Sequence, residues 1–421
     1  MNTLNYLIGL FLLTGVSSAQ ARLDVHEWGT FTSLVGSNGK TQHGMYHEDE
    51  KLPDFVHNFG EILSPRQSNF LGRSGDCDPR RDKGCIPERM ITNSFVSQKM
   101  ETPVVYFYSD RQQPVTINVR FPNGAVTQSY PAPVSTSPTP NDEKLINGNT
   151  TYQIEVLDSK NAKLPEVDPT NIYSHARNVQ SNFVRAGSEI EKFIFYRGLG
   201  HYQPRLNIHS IGLDLAFLAD KGFEPQITFL VDVNSQGHAQ MIRVRGIGHN
   251  KEVTVSGEII RQLKNHDLRE NKHVMNGEQM NATLLQALIG AGLYQDEAQA
   301  MLDTWSHGYF KTPGLRVLYI LSRSEVEQVL PLTVSPRPDN LNRAFIGRIE
   351  VLRQDEELRI LKDIESQCEN FKVESLGRFA EPILRRVYEV YKEVATAGGG
   401  THIPGKTDKL FVDLIAKAAA M

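Results

Sequence analysis

Apolar residues keep two different rhythms along this chain, and the switch between them restricts the fold more than any other feature. As far as about residue 260 they fall at every second position in short runs, the spacing of strands that bury one side. The runs cover 23–34, 104–108, 115–121, 125–130, 152–157, 192–196, 207–217, 226–233, 239–244 and 253–260. In the first, Leu23, Val25, Glu27, Phe31 and Val35 share one face, while Asp24, His26, Trp28 and Thr30 share the other. Pro122-Asn123-Gly124 and Asn234-Ser235-Gln236-Gly237 supply hairpin turns between runs. Past Asn276-Gly277 the spacing becomes three and four: Met280, Leu284, Leu285, Leu288 and Ile289 line one helix, and Ala298, Met301, Leu302 and Trp305 a second. An apolar strand at 315–321, a short helix at 325–329 and a strand at 343–352 follow. An acidic helix starts at Gln354, and the last long helix carries Ile383, Leu384, Val387, Val390, Tyr391 and Val394.

This order predicts an α+β fold, with sandwich-like, β-rich N-terminal and central sheets followed by a mixed, helix-rich C-terminal part. At 421 residues the chain is longer than one hydrophobic core usually serves. By pattern it divides into a β-rich stretch at 22–140, a second β-rich stretch at 141–275 and a mixed stretch at 276–421. Four prolines between Pro131 and Pro140 mark the first border as a stiff strap.

The extreme N-terminus reads as an export signal at 1–21. Residues 7–16 are ten consecutive apolar or small positions, and Ala19-Gln20-Ala21 offers the small-x-small pattern of signal-peptidase cleavage. Ten residues span only about half a bilayer as a helix, so cleavage rather than anchoring is expected and the mature chain has no transmembrane segment. A periplasmic or secreted location follows. There the pair Cys77 and Cys85 is expected to form a local disulfide, and Cys368, the remaining cysteine, to be buried. With 45 basic against 49 acidic residues, the chain has no basic field for nucleic acid. Its ligand is instead expected in the envelope or outside the cell.

Histidine is locally dense: His26, His43, His47 and His57 lie within 32 positions, accompanied by Glu27 and by the run His47-Glu48-Asp49-Glu50. Imidazole and carboxylate together suit a divalent ion such as zinc. On that reading His26, His47 and His57 are the metal ligands, and Glu27 or Glu48 a further ligand or the base of a hydrolase. The HExxH spacing is absent. The competing reading is a sheet-edge loop of hydrogen-bonded histidines and solvated acids, with Glu27 in a buried ion pair. Arg197 and His201, in Tyr196-Arg197-Gly198-Leu199-Gly200-His201 after a strand, could bind an anion or carboxylate of a substrate at the strand end, where Gly198 and Gly200 allow a tight exit; the competing reading is a purely structural turn. No nucleophile elbow, phosphate loop or dinucleotide fingerprint occurs.

The stretches His26-Glu27-Trp28-Gly29-Thr30-Phe31-Thr32, Met100-Glu101-Thr102-Pro103-Val104-Val105-Tyr106-Phe107-Tyr108, Phe195-Tyr196-Arg197-Gly198 and Thr312-Pro313-Gly314-Leu315-Arg316-Val317-Leu318-Tyr319 resemble an uncharacterised family of exported bacterial proteins. The resemblance implies one exported architecture and carries no activity with it. Two functions remain open at this level: a metal-assisted hydrolase of the cell envelope or extracellular space, and a non-catalytic binding or scaffold protein for an envelope partner or glycan.

Overall fold

The computed structural model describes residues 21–421 apart from 46, 49, 60–95, 139–144, 159–160, 226, 266–273, 276, 398–401 and 404. Cys77 and Cys85, the expected disulfide, therefore lie outside the described residues, as does the expected export signal up to residue 20. Among the described residues the strand alternation is realised in three sheets. The largest has nine strands among the described residues, in the order β14 (Ala239–Val244), β13 (Thr228–Val233), β16 (Gly314–Ile320), β18 (Asn340–Val351), β1 (Leu23–Val35), β3 (Gln98–Ser109), β10 (Ile194–Gly200), β5 (Gly124–Tyr130) and β2 (His57–Asn58). A second sheet orders β17 (Leu332–Ser335), β4 (Gln113–Phe121), β7 (Gly148–Val156), β8 (Val184–Ala186) and β9 (Glu189–Glu191), with β6 (Ser135–Ser137) on β7. A third holds β11 (Leu206–Ile211), β12 (Asp214–Ala219) and β15 (Val253–Val255). The helices are α1 (Ile172–His175), α2 (Gly257–Asn265), α3 (Gly277–Gly290), α4 (Gln295–Phe310), α5 (Arg323–Val329), α6 (Gln354–Gln367), α7 (Ala380–Thr396) and α8 (Lys406–Ala418). The architecture is α+β.

The large sheet is held together by its first and last strands. β1 pairs in parallel with β18, from Asp24 opposite Asn340 to Val35 opposite Val351, and antiparallel with β3. The sheet thus takes strands from all three sequence stretches. All thirteen residues of β1 are buried, because both faces of the sheet are covered. Leu23, Val25, Phe31 and Val35 face a core shared with Val115, Ile117 and Val119 of β4 and with Tyr152 and Ile154 of β7. The opposite face carries helices in two groups. Trp28, Tyr106, Phe195 and Leu318 pack against Met280, Leu284, Met301 and Trp305 of α3 and α4. Leu34, Leu199 and Leu352 pack against Ile360, Leu384, Val387, Phe411 and Leu414 of α6, α7 and α8. Among the described residues no helix is long and apolar enough to cross a membrane.

The helical hairpin stands where its spacing predicts it, and three readings are corrected. The run at 207–217 is a hairpin, not one strand: the chain turns at Gly212-Leu213 (Gly212 φ 63), and the exposed Ile211 and Leu213, at every second position with Leu215 and Phe217, imitate one continuous strand. The run at 253–260 ends as a strand at Val255 and becomes α2, since Ile259, Ile260 and Leu263 fit a helix as well as a sheet. Cys368 is exposed, not buried, and ends α6 with φ 50.

A carboxyl group is buried at the edge of the sheet-on-sheet core. Glu325, in the first turn of α5, accepts a hydrogen bond from Tyr202 Oη (2.8 Å) through Oε1, while its buried Oε2 has no partner. Burial pushes this carboxyl up to about 7. The folded state therefore holds a proton that the unfolded chain releases above its ordinary value near 4.5, so stability falls as pH rises from about 4.5 to about 7 and then levels. Glu325→Gln should raise stability at pH 8 by about 2 kcal/mol and leave it unchanged at pH 4. Urea denaturation at the two pH values checks this, and an equal effect at both would contradict it.

Candidate functional site

Where the two helical groups meet, the face of the large sheet stops being apolar. Arg316 on β16, Arg348 and Glu350 on β18, Thr30 and Thr32 on β1, Lys99 and Glu101 on β3, and Arg197 on β10 form a polar row across five neighbouring strands. The register sets Arg316 opposite Glu350, Arg348 opposite Thr32, Thr32 opposite Lys99 and Thr30 opposite Glu101. A β-bulge puts the β3 residues there. Val105 and Phe107 face the sheet-on-sheet core, as does Met100, so the strand changes phase between them. The change occurs at Thr102, whose φ of 48 is a left-handed conformation that costs a β-branched residue about 1–3 kcal/mol. Without it Lys99 and Glu101 would face the other sheet.

The charges in the row are bonded to one another. Glu48 Oε2 accepts from Lys99 Nζ (2.5 Å) and from Arg197 Nη1 (2.5 Å). Lys99 Nζ also donates to the carbonyl of His47 (2.8 Å) and lies 3.9 Å from Glu101. Glu101 accepts from Thr32 Oγ1 (2.8 Å) and from Arg378 Nη1 (2.6 Å), which links β3 to the chain just before α7. Arg348 Nε donates to Glu350 Oε1 (2.6 Å), with Arg316 Nε 3.4 Å from the same oxygen. Rings from both helical groups flank Arg348, Tyr309 of α4 at 5.9 Å and Phe379 at 5.7 Å. Tyr309 Oη is in turn 2.5 Å from Thr30 Oγ1. Exposure falls along the row from 37% at the Glu48 side chain to 3% at Lys99 and 0% at Arg348.

Burial sets the protonation of these groups. Desolvation lowers the Lys99 ammonium, although Glu48 and Glu101 oppose it. For Glu101, burial alone would raise the carboxyl, but Arg378, Lys99 and Arg348 outweigh it and hold the group well below its usual range. Glu48 is lowered the same way, Arg197 and Lys99 overcoming burial. His47 is lowered by burial, with Glu381 Oε2 3.9 Å from its Nε2. The loop that brings His47 and Glu48 here is fixed by hydrogen bonds from the Gly44 and Met45 amides to Val96 O. Gly44 has φ 101, and a Cβ there would meet Glu381 at 2.8 Å, so only glycine fits.

Of the residues singled out from sequence, His47, Glu48 and Arg197 meet in this row, and the others do not. His26 faces α4, where Nδ1 donates to Glu297 Oε2 (2.8 Å) and Nε2 accepts from Asn342 Nδ2 (3.0 Å). Both its nitrogens are occupied. Glu27 points to the opposite face, where it accepts from Tyr196 Oη and from Arg343 Nε (2.5 Å), a buried ion pair. His57 lies on the edge strand β2 with Nε2 2.6 Å from Glu189 Oε1. His47 sits beside Lys99, opposite Thr32 and well along β1 from His26, and His57 lies on β2, beyond β3, β10 and β5 from β1. The three histidines thus do not form the shared ligand set expected of them, and no group of three or more metal-ligating side chains is gathered among the described residues. His201 follows the end of β10, where its amide donates to Asn123 O (2.9 Å). Gly198 and Gly200 do not turn the chain: β10 continues through them, and a Cβ at either would lie within 2.6 Å of a carbonyl oxygen of the neighbouring chain.

Lys99, Glu101, Arg348 and Arg378 escaped sequence reasoning. The one local signal was two charges at alternate positions, 99 and 101, just before an apolar run. No protein-family model matches the chain, and no curated protein matches it.

Glu101 is the residue on which the row balances. Glu101→Gln leaves Arg378 and Lys99 short of a buried counter-charge and should cost about 3 kcal/mol at pH 7. Because the folded carboxyl is held low, its contribution is present above about pH 4.5 and lost as pH falls. Urea titrations should show wild type and variant converging toward pH 3, and equal stability at pH 7 would contradict the assignment.

Proposed function

We propose that this chain is a non-catalytic, exported binding protein whose ligand is held by the charged row between the two helical groups. Export rests on the apolar run at 7–16 and the Ala19-Gln20-Ala21 pattern, and the same reading groups the chain with the exported bacterial proteins that its His26–Thr32 motif resembles. One observation carries the binding reading: Arg348 is fully buried, yet among the described residues its Nη1 and Nη2 have no hydrogen-bond partner. An unmet buried cationic donor is expensive to maintain, and such groups gather where a ligand completes them. The junction of two packed groups is also where pockets commonly form. The hydrolase reading needs a cation gathered by His26, His47 and His57, and these side chains point to separate partners.

The two readings separate in protein purified from the exported fraction without chelator. Native mass spectrometry should show a small-molecule adduct that Arg348→Met lacks, with metal analysis well below stoichiometric. Stoichiometric zinc removed by His47→Ala, with no adduct, would restore the hydrolase instead.

A further inference from the structure

We infer that the group bound in the row is an oxyanion, a carboxylate or a phosphate-type group, received by the end-on edge of the Arg348 guanidinium. This rests on the binding reading above and specifies its chemistry. Arg348 presents a planar fork with two usable edges. Its Nε is committed to Glu350 Oε1 at 2.6 Å, and Nη1 and Nη2 remain, both buried and without a partner among the described residues. Two parallel N–H donors on one edge match two oxygens of a single anion, a charge-assisted pair stronger than a neutral acceptor would make, and a cationic group is repelled.

Charge points the same way. Among the described residues the row has five cationic side chains, Lys99, Arg197, Arg316, Arg348 and Arg378, against three carboxylates, Glu48, Glu101 and Glu350. Arg197 Nε is a further buried donor with no partner. Arg348 is fully buried and flanked by the Tyr309 and Phe379 rings, so an anion seated there meets the guanidinium in a low-dielectric setting. The partly exposed Glu48 end leads toward solvent. A carboxylate and a phosphate share this chemistry and differ in charge and in number of oxygens.

The test uses full-length mature protein titrated with inorganic phosphate, acetate and chloride at constant ionic strength, followed by calorimetry and thermal denaturation. Phosphate or acetate should bind and raise the melting temperature where chloride does not. The stronger of the two identifies the source, a phosphate-type or a carboxylate group. Arg348→Lys keeps the charge but loses the fork, and should weaken that binding by about tenfold or more. Equal affinity in Arg348→Lys would assign the effect to an adventitious ion only and overturn the inference. If that variant fails to fold, guanidinium-selective 15N NMR of the wild type takes its place: a buried arginine Nη signal should move with the binding anion and stay fixed with chloride. No response to either oxyanion, while Arg348→Met still removes a native adduct, would defeat the oxyanion assignment and leave the binding reading standing. No response together with no adduct would defeat both.

Discussion

The interaction on which this molecule depends is the pairing of buried charge across the helix-covered face of its large sheet. A carboxylate removed from water is tolerated only when cations and donors replace its hydration. Glu101 has Thr32, Arg378 and Lys99 to do so. Those partners come from β1, from the segment before α7 and from β3 itself, so satisfying one side chain fixes three parts of the chain relative to one another. The same row divides the helices. Apolar packing cannot continue over it, and α3 and α4 gather on one side while α6, α7 and α8 gather on the other.

A sheet able to carry such a row must be rigid, and the topology supplies that. β1 is buried along its whole length and lies between β3 and the last strand, β18, so neither face nor edge is open to water. The strain at Thr102 is stored in this frame. A single bulged residue turns Lys99 and Glu101 toward the helices, and bulges of this kind recur beside functional sites because they re-aim side chains without dissolving the sheet. The geometry supports the proposed reading, in which the row holds a ligand. Each titratable group in the row is already engaged by an opposite charge, and the donors left over belong to guanidinium groups, which do not give up protons at physiological pH.

Much of the scaffold was legible in the spacing of apolar residues, because β4, β7 and the α3–α4 hairpin each have one wet side and one dry side. The row was not, for the reason that makes it interesting. Gln98, Lys99, Glu101 and Pro103 look unlike a strand, so the run was read as starting at Val104, although β3 begins at Gln98. Local pattern cannot reveal that buried ions will be paid for by partners nearly 280 residues away, as Glu101 is by Arg378. Glu48 and Arg197 were picked out for different tasks and turn out to share one hydrogen-bonded group. The parallel pairing of β1 with β18 was equally invisible, since strand partners 316 residues apart leave no periodic trace. α8 follows the glycines at 398–400 in sequence, and that stop signal makes the preceding helix look like the last.

The central claim is that the unpaired edge of Arg348 is a receptor for an oxyanion inside the protein and not a surface accident. The most direct measurement is anomalous diffraction from crystals soaked in selenate, whose electron-rich centre marks where an oxyanion settles. The account requires a selenium peak within about 4 Å of the Arg348 Nη atoms, the reach of a charge-assisted hydrogen bond through oxygen. Peaks confined to exposed lysines and arginines, with the Arg348 edge dry or bonded only to water, would contradict it.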